Sequence, residues 1–141
     1  MNTYALGWAA LVASLSLTTG QAADFSKIDV SKLPPPAAKS GLTYATDIKP
    51  IVQASCVKCH GPEKPKSKFR VDSREALIKG GESNKAAVVP GQSARSPIIL
   101  FTSDLVEDME MPPKEKRGPK FPPLTPAQIG LLRAWIDQGA K

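Results

Sequence analysis

Histidine, cysteine and aromatic residues are scarce in this chain. Among its 141 residues there are one histidine and two cysteines, and aromatic residues make up 6%. A structural zinc site needs four ligands, so a site built from Cys and His alone cannot be completed here. The few aromatic side chains, together with 14 prolines and 10 glycines, indicate a thin hydrophobic core. We therefore expect something other than side-chain packing to support the fold.

Length and motifs exclude several classes of protein. A chain of 141 residues predicts one domain and excludes multidomain enzymes, large barrels and doubly wound folds. Neither a phosphate-binding P-loop nor a dinucleotide fingerprint is present. The net charge is +6, from 19 Lys and Arg against 13 Asp and Glu. The basic residues are not interleaved with aromatic ones, so we expect no nucleic-acid partner.

The first 22 residues contain no Lys, Arg, Asp or Glu. Their apolar stretch, Ala5 to Leu17, is shorter than the roughly 20 residues that a membrane span needs. Gly20 and Ala22 supply small residues at the −3 and −1 positions of a cleavage site. Residues 1–22 therefore predict a signal peptide cleaved near Ala22, export to the periplasm and no membrane span in the mature chain. The alternative is an uncleaved N-terminal anchor.

The remaining chain is predicted to consist of an arm and one folded domain. Residues 23–43 include three successive prolines, Pro34–Pro36, and predict an extended arm. Residues 44–141 predict the domain. Its helices are expected from Asp47 to Ser55 with a cap at Thr46-Asp47, over Arg74–Lys79, and after Ser93 or Ser96.

The last helix has the clearest signals. Thr125 is an N-cap residue, Pro126 takes the first helical position, Gln128 completes a capping box and Gly139 stops the helix. An apolar stripe of Ile129, Leu132, Trp135 and Ile136 follows the helical period. No alternating pattern is long enough for a sheet. The sequence therefore predicts a small, all-α, loop-rich fold.

Both cysteines and the histidine lie in one cluster, Cys56-Val57-Lys58-Cys59-His60. This C-x-x-C-H spacing is the attachment pattern of c-type haem. Two thiols three residues apart lie on one side of a helical turn, so each can add to one haem vinyl group, and the adjacent His60 is aimed at the iron. The cluster predicts one covalent haem c, attached by Cys56 and Cys59, with His60 as the proximal iron ligand. The attached haem would then supply apolar surface to the core.

Two other interpretations of the cysteines remain open. Export to an oxidising compartment permits a structural disulfide between Cys56 and Cys59. A thioredoxin-like redox motif has the same C-x-x-C spacing, but it is found beside a βαβ unit that this sequence does not predict.

The second axial ligand of the iron must come from a residue type other than histidine, because His60 is the sole histidine. Methionine pairs with histidine in many cytochromes c. Met1 leaves with the signal peptide, so Met109 and Met111 are the candidates. In an extended loop they point to opposite sides, and only one can reach the iron. We favour Met111, because Pro112 and Pro113 stiffen its backbone, with Met109 as the alternative and an open iron as the third possibility.

Several short stretches carry a family resemblance, in this order along the chain: Asp47–Ile51, Cys56–Pro62, Arg70–Arg74, Gly80-Gly81, Val89–Gly91, Met111–Pro113 and Leu124–Ala140. In this ordered set the sequence resembles a cytochrome c and, more narrowly, the planctomycete-type cytochrome c domain, over about residues 44–141. The resemblance implies a small α-helical cytochrome c fold with one haem, and His60 and Met111 as its axial ligands.

The charges are unevenly distributed around these candidate ligands. Five basic residues lie within the haem motif or closely after it, and four acidic residues precede Met111: Lys58, Lys64, Lys66, Lys68 and Arg70, and Asp104, Glu107, Asp108 and Glu110. The net charge of +6 favours redox partners with acidic docking surfaces. The uneven distribution has two interpretations: a dipolar molecule that orients as it meets a redox partner, or two solvated faces.

Taken with the motifs, these features predict an exported monohaem c-type cytochrome. It would carry single electrons between larger redox proteins and would not be an enzyme. A haem enzyme or sensor with an open distal site is the first alternative. A thiol–disulfide protein that uses Cys56 and Cys59 is the second.

Overall fold

The computed structural model describes residue 25 and residues 27–141. The predicted signal peptide, residues 1–22, therefore lies outside the described residues. Five α-helices are present in the described part: α1 (Lys49–Ser55), α2 (Val57–His60), α3 (Arg74–Lys79), α4 (Pro97–Thr102) and α5 (Pro126–Asp137). The only β pairing within it is an isolated bridge between Gly118 and Phe121. The prediction of a small, all-α, loop-rich fold is confirmed.

Short turns complete the architecture. A π-helical segment, Tyr44–Ile48, precedes α1 directly, and 3-10 turns lie at Val30–Lys32, Lys66–Lys68, Ser93–Arg95 and Lys114–Lys116. No helix in the described residues has the length and apolar character needed to cross a membrane.

Helix α5 begins and ends as its sequence predicts. The Thr125 hydroxyl accepts from the backbone N–H of Gln128, and the Gln128 side chain accepts from the backbone N–H of Thr125, so the capping box is complete. Gly139 follows the helix at φ +93°, a left-handed conformation that glycine adopts without strain. The predicted helix at Arg74–Lys79 is also confirmed, with Ser73 as its cap.

The start of the first helix differs from the prediction. Thr43, not Thr46 or Asp47, is the cap, and its hydroxyl accepts from the backbone N–H of Thr46. The Asp47 carboxylate instead accepts from the backbone N–H of Thr43 and from the Lys39 ammonium group. An additional helical turn of π type therefore precedes α1. The prediction of a cap at Thr46-Asp47 was wrong because both residues lie within the π-helical turn and not before it.

The hydrophobic core forms between α5 and the segment that leads to the cysteines. Trp135, Ile136 and Leu132 of α5 are fully buried, and so are Ile48, directly before α1, and Val52 within it. The ring centres of Tyr44 and Trp135 lie 6.3 Å apart. The apolar stripe of α5 therefore packs on the π-helical segment Tyr44–Ile48, which leads into α1 and so to Cys56.

The Pro-rich arm lies against α5. Leu33 is buried, the backbone N–H of Ala37 donates to the carbonyl of Gly130, and the Arg133 guanidinium donates to the carbonyl of Pro34. A Cβ atom on Gly130 would lie 2.8 Å from the carbonyl oxygen of Pro35, so glycine is needed for this close approach.

Candidate functional site

Two cavities share four lining residues: Cys56, His60, Thr102 and Met111. The larger has a volume of about 370 Å³ and the smaller about 40 Å³. Cys59 lines the smaller cavity and Met109 the larger. The structure therefore brings all the sequence-predicted site residues to one place, although Met111 is more than 50 residues from the cysteines in the chain. Their role as haem attachment points and iron ligands stays a prediction.

Helices α1 and α2 set the positions of the two cysteines. Cys56 lies between these helices: it is the C-cap residue of α1 and the N-cap residue of α2. The backbone N–H groups of Cys59 and His60 both donate to the carbonyl of Cys56, at 3.1 and 2.9 Å. This single turn places Cys56, Cys59 and His60 on the cavity wall. Both cysteines are free thiols and half-buried.

One contact determines which nitrogen of His60 is free. The Nδ1 atom lies 3.2 Å from the carbonyl oxygen of Phe69. A carbonyl oxygen can only accept, so Nδ1 carries the proton and donates it. Nε2 is then an unprotonated acceptor, the state in which a histidine binds a metal ion. The Phe69 ring, with its centroid 5.0 Å from that of His60, packs beside the imidazole.

Burial also favours the neutral form of His60. It lowers the pKa of the imidazole, the backbone carbonyls of Phe69 and Lys66 oppose this effect only in part, and the positive charge of Lys66 adds to it. The side chain is therefore held neutral, oriented by one hydrogen bond and directed to the cavity that the cysteines line.

The two candidate methionines differ in their surroundings. Met111 is half-buried and lines both cavities, whereas Met109 is 40% exposed and lines only the larger one. The backbone N–H of Met111 donates to the carbonyl of Phe101 at the end of α4, at 3.0 Å. The lower exposure of Met111 and this backbone hydrogen bond favour Met111 over Met109 as the residue facing the site. The peptide bond between Met111 and Pro112 is cis.

The donor set and the lining fit a haem of the c type. Two free thiols, one unprotonated imidazole nitrogen and one thioether are the groups that such a haem requires. Apolar side chains make up much of the cavity wall, and they include Phe69, Val71, Ile98 and Phe101. Ser67, Glu82, Ser83 and Lys85 add polar groups to the larger cavity, and the two hydroxyl groups and the ammonium group among them are suited to the carboxylates of a haem. An apolar surface with polar groups on its lining matches an apolar macrocycle with two acidic substituents.

The same geometry argues against a dithiol redox site. Burial and the neighbouring Cys59 raise the pKa of the Cys56 thiol to about 11. Reactive cysteines in such motifs have a lowered pKa, because the thiolate is the attacking species. In the described residues no group of three or more His, Cys, Asp or Glu side chains could hold a metal ion.

Some residues of the site were not found from the sequence. The carbonyl of Phe69 orients His60, but any residue type offers a carbonyl, so no sequence signal marks it. Thr102 lines both cavities at the end of α4. Arg117 donates to the carbonyl of Pro112, next to Met111. The sequence does not indicate this contact, because Arg117 is one of several basic residues in a Pro-rich loop.

Comparison with known proteins agrees with this geometry. The family model described as Planctomycete cytochrome C matches residues 56–115, a segment that begins at the first cysteine and includes Met111. Searches of the curated proteins and of the solved structures return no significant match. A cytochrome c domain binds haem c and exchanges electrons with redox partner proteins. This match supports a cytochrome c domain over residues 56–115 of the chain.

Proposed function

We propose that this protein carries single electrons between larger redox proteins as a monohaem c-type cytochrome. The observation that supports the proposal is the convergence of Cys56, Cys59, His60 and Met111 on one largely apolar cavity. The chain has two cysteines and one histidine, enough for a single C-x-x-C-H site. The expected number of haems is therefore one.

Each residue has a distinct role in this function. Cys56 and Cys59 would form the thioether links to the haem, and His60, through Nε2, and Met111, through its sulfur, would hold the iron. The haem would supply the Fe(III)/Fe(II) couple. With both of these side chains bound to the iron, the site would accept and release electrons without binding a substrate. A methionine opposite a histidine also raises the reduction potential.

The protein environment keeps the two ligands in place when the charge of the iron changes. His60 is fixed by its hydrogen bond to the carbonyl of Phe69. Met111 is fixed by its backbone bond to the carbonyl of Phe101. Rigid ligands and a largely apolar cavity would allow little rearrangement during electron transfer, which suits a carrier.

The surface beside the site supports acidic redox partners. Lys58 projects next to the cysteines, where its ammonium group donates to the carbonyl of Lys120 and lies 5.8 Å from the centre of the Phe121 ring. Lys116 and Phe121 themselves line the smaller cavity. Positive charge at the mouth of the cavity would steer an acidic partner to the haem edge, so the electron-transfer rate should fall as the ionic strength rises.

Export to the periplasm belongs to the same proposal. The sequence of residues 1–22 supports it, with an apolar stretch followed by small residues at the −3 and −1 positions of a cleavage site. Cleavage near Ala22 would leave the arm and the domain as the mature protein. N-terminal sequencing of the exported protein tests this directly.

The function is tested by absorption spectra of protein produced with a cytochrome c maturation system. Spectra of the oxidised and reduced forms are recorded before and after extraction with acid-acetone. We expect colour that stays with the polypeptide, a low-spin spectrum and a Met–Fe(III) charge-transfer band. A high-spin spectrum with rapid carbon monoxide binding would favour an enzyme or sensor instead. Colourless protein with a reducible disulfide would favour the dithiol interpretation.

A further inference from the structure

The loop that carries Met111 is held at both sides of this residue. We define the distal loop as residues 103–117, which follow α4 directly. On one side, the backbone N–H of Met111 donates to the carbonyl of Phe101, at 3.0 Å. On the other, the carbonyl of Pro112 accepts from Nε of Arg117, also at 3.0 Å. The N–H group of Met111 and the carbonyl group of the next residue, Pro112, are therefore both engaged.

Arg117 connects the second of these groups to the end of α4. Its Nη1 and Nη2 atoms donate to the two carboxylate oxygens of Asp104, at 2.8 and 2.5 Å. Asp104 lies two residues beyond α4 in a left-handed conformation, with φ +57°. Arginine is suited to this bridge, because its planar guanidinium can bind a carboxylate with two nitrogens while the third donates elsewhere.

Both ties therefore end at the same short piece of chain, residues 101–104. The Phe101 carbonyl holds the N-terminal side of Met111, and the Asp104 carboxylate holds its C-terminal side through Arg117. A loop fixed twice to one helix end has little freedom to swing away from the cavity. The thioether of methionine is a weak, neutral ligand, so its position depends strongly on such support.

We propose that Arg117 is a positioning residue for Met111: its guanidinium clamps the Pro112 carbonyl to Asp104 and so keeps the Met111 sulfur directed at the iron. Arg117 does not touch the iron or the haem in this account and acts through the backbone of the loop. The inference rests on the proposed function, in which Met111 is the distal ligand.

The size of the effect follows from the exposure of the pair. The side chains of Arg117 and Asp104 are 23% and 36% exposed, so water screens part of their attraction. A charge-assisted hydrogen bond to a carbonyl in this setting contributes enough to shift an equilibrium about tenfold when it is lost. We therefore expect removal of Arg117 to loosen Met111 and not to unfold the domain.

The test compares Arg117→Gln with two control variants that also remove one positive charge. Arg133→Gln removes an arginine that likewise donates to a proline carbonyl, that of Pro34, but in the arm on α5. Lys114→Gln removes a charge from the distal loop itself, where Lys114 pairs with the Glu110 carboxylate and not with the backbone. Arg117→Lys keeps the charge but loses the planar fork.

Three measurements on the haem-containing proteins separate positioning from general stability. They are the Met–Fe(III) charge-transfer band, the rate of carbon monoxide binding to the reduced protein, and the hydrogen-exchange rate of the Met111 amide. For Arg117→Gln we expect a weaker band and roughly tenfold faster carbon monoxide binding and amide exchange. Arg117→Lys should recover only part of the loss, and both control variants should behave like the wild type in all three measurements.

The outcomes distinguish this inference from the proposed function. If the wild-type protein shows the charge-transfer band and Arg117→Gln matches the Lys114→Gln control in all three measurements, the inference is overturned and the proposed function stands. If the wild-type protein lacks the band although haem is attached, Met111 is not the distal ligand. In that case both the assignment of Met111 and this inference are overturned.

Discussion

The two sides of the cavity are built in different ways. On the proximal side, Cys56, Cys59 and His60 lie within one turn, closed by backbone hydrogen bonds to the carbonyl of Cys56. On the distal side, Met111 reaches the same cavity only because the distal loop is fastened to the end of α4. Proximal geometry is thus encoded in five consecutive residues, whereas distal geometry depends on contacts between residues that are separate in the chain. When the fold is perturbed, we expect Met111 to leave the cavity before the turn of Cys56, Cys59 and His60 is disrupted.

The largest expected effect is on the proximal side. Replacement of both thiols, Cys56→Ala with Cys59→Ala, should abolish covalent haem attachment, because no other cysteine exists in the chain. Acid-acetone extraction should then remove all colour from the polypeptide. Single variants should retain one thioether link at reduced yield. Colour that resists extraction in the double variant would contradict the assignment of these residues.

On the distal side, Met111→Leu should change the spectrum without detaching the haem. Leucine has a similar volume but no sulfur, so the charge-transfer band should disappear, the reduction potential should fall and the reduced protein should bind carbon monoxide. Met109→Leu is the matched control, because Met109 is the more exposed methionine of the same loop. Loss of the band in Met109→Leu, with the band intact in Met111→Leu, would exchange their roles.

A smaller effect is expected from a change behind His60. A Cβ atom on Gly81 would lie 2.4 Å from the carbonyl oxygen of Ser67 and 3.0 Å from the Cβ of Phe69, whose carbonyl holds His60. Gly81→Ala should therefore displace this backbone, lower the free energy of unfolding by about 1–3 kcal/mol and shift the reduction potential. Both quantities are measured by denaturant titration and by voltammetry.

Gly91→Ala is the control for this variant. Gly91 has φ +80°, and a Cβ atom added there would have no other atom within 4 Å. Gly91→Ala should therefore lower the stability of the domain through backbone strain alone. If the reduction potentials of Gly81→Ala and Gly91→Ala both equal that of the wild type, the Phe69 carbonyl does not affect the reduction potential through His60.

The smallest effect concerns the pH dependence of the distal clamp. The Arg117 guanidinium holds the pKa of Asp104 below its ordinary value of 3.8, and Lys114 adds to this from the same loop. Glu110, the nearby acidic group, is itself paired with Lys114. Because the pKa is lower in the folded state, the stabilisation is present above pH 3.8 and is lost as the pH falls through the folded value.

Asp104→Asn should therefore be less stable than the wild type at neutral pH, and the difference should shrink as the pH falls below 3.8. Urea unfolding at several pH values measures this difference. A difference that grows on acidification would contradict the ion pair as its source.

The contrast between the two sides also explains what the sequence could predict. The proximal residues and α5 were predictable because their signals are local: a five-residue motif, and a capping box formed by Thr125 and Gln128. The cap at Thr43 was missed, since Thr46 and Asp47 are equally good capping residue types and only the fold decides among them. The clamp by Arg117 was not predictable either, because its acceptors, a backbone carbonyl and a carboxylate 13 residues away, meet only in the folded loop.

Intact mass spectrometry of the purified, exported protein tests the central claim most directly. The account predicts the mass of the chain from residue 23 to residue 141 plus one covalently bound haem, and a tryptic or acid fragment that carries the haem on Cys56 and Cys59. A mass without haem, or one that shows only a disulfide between these two cysteines, would contradict it.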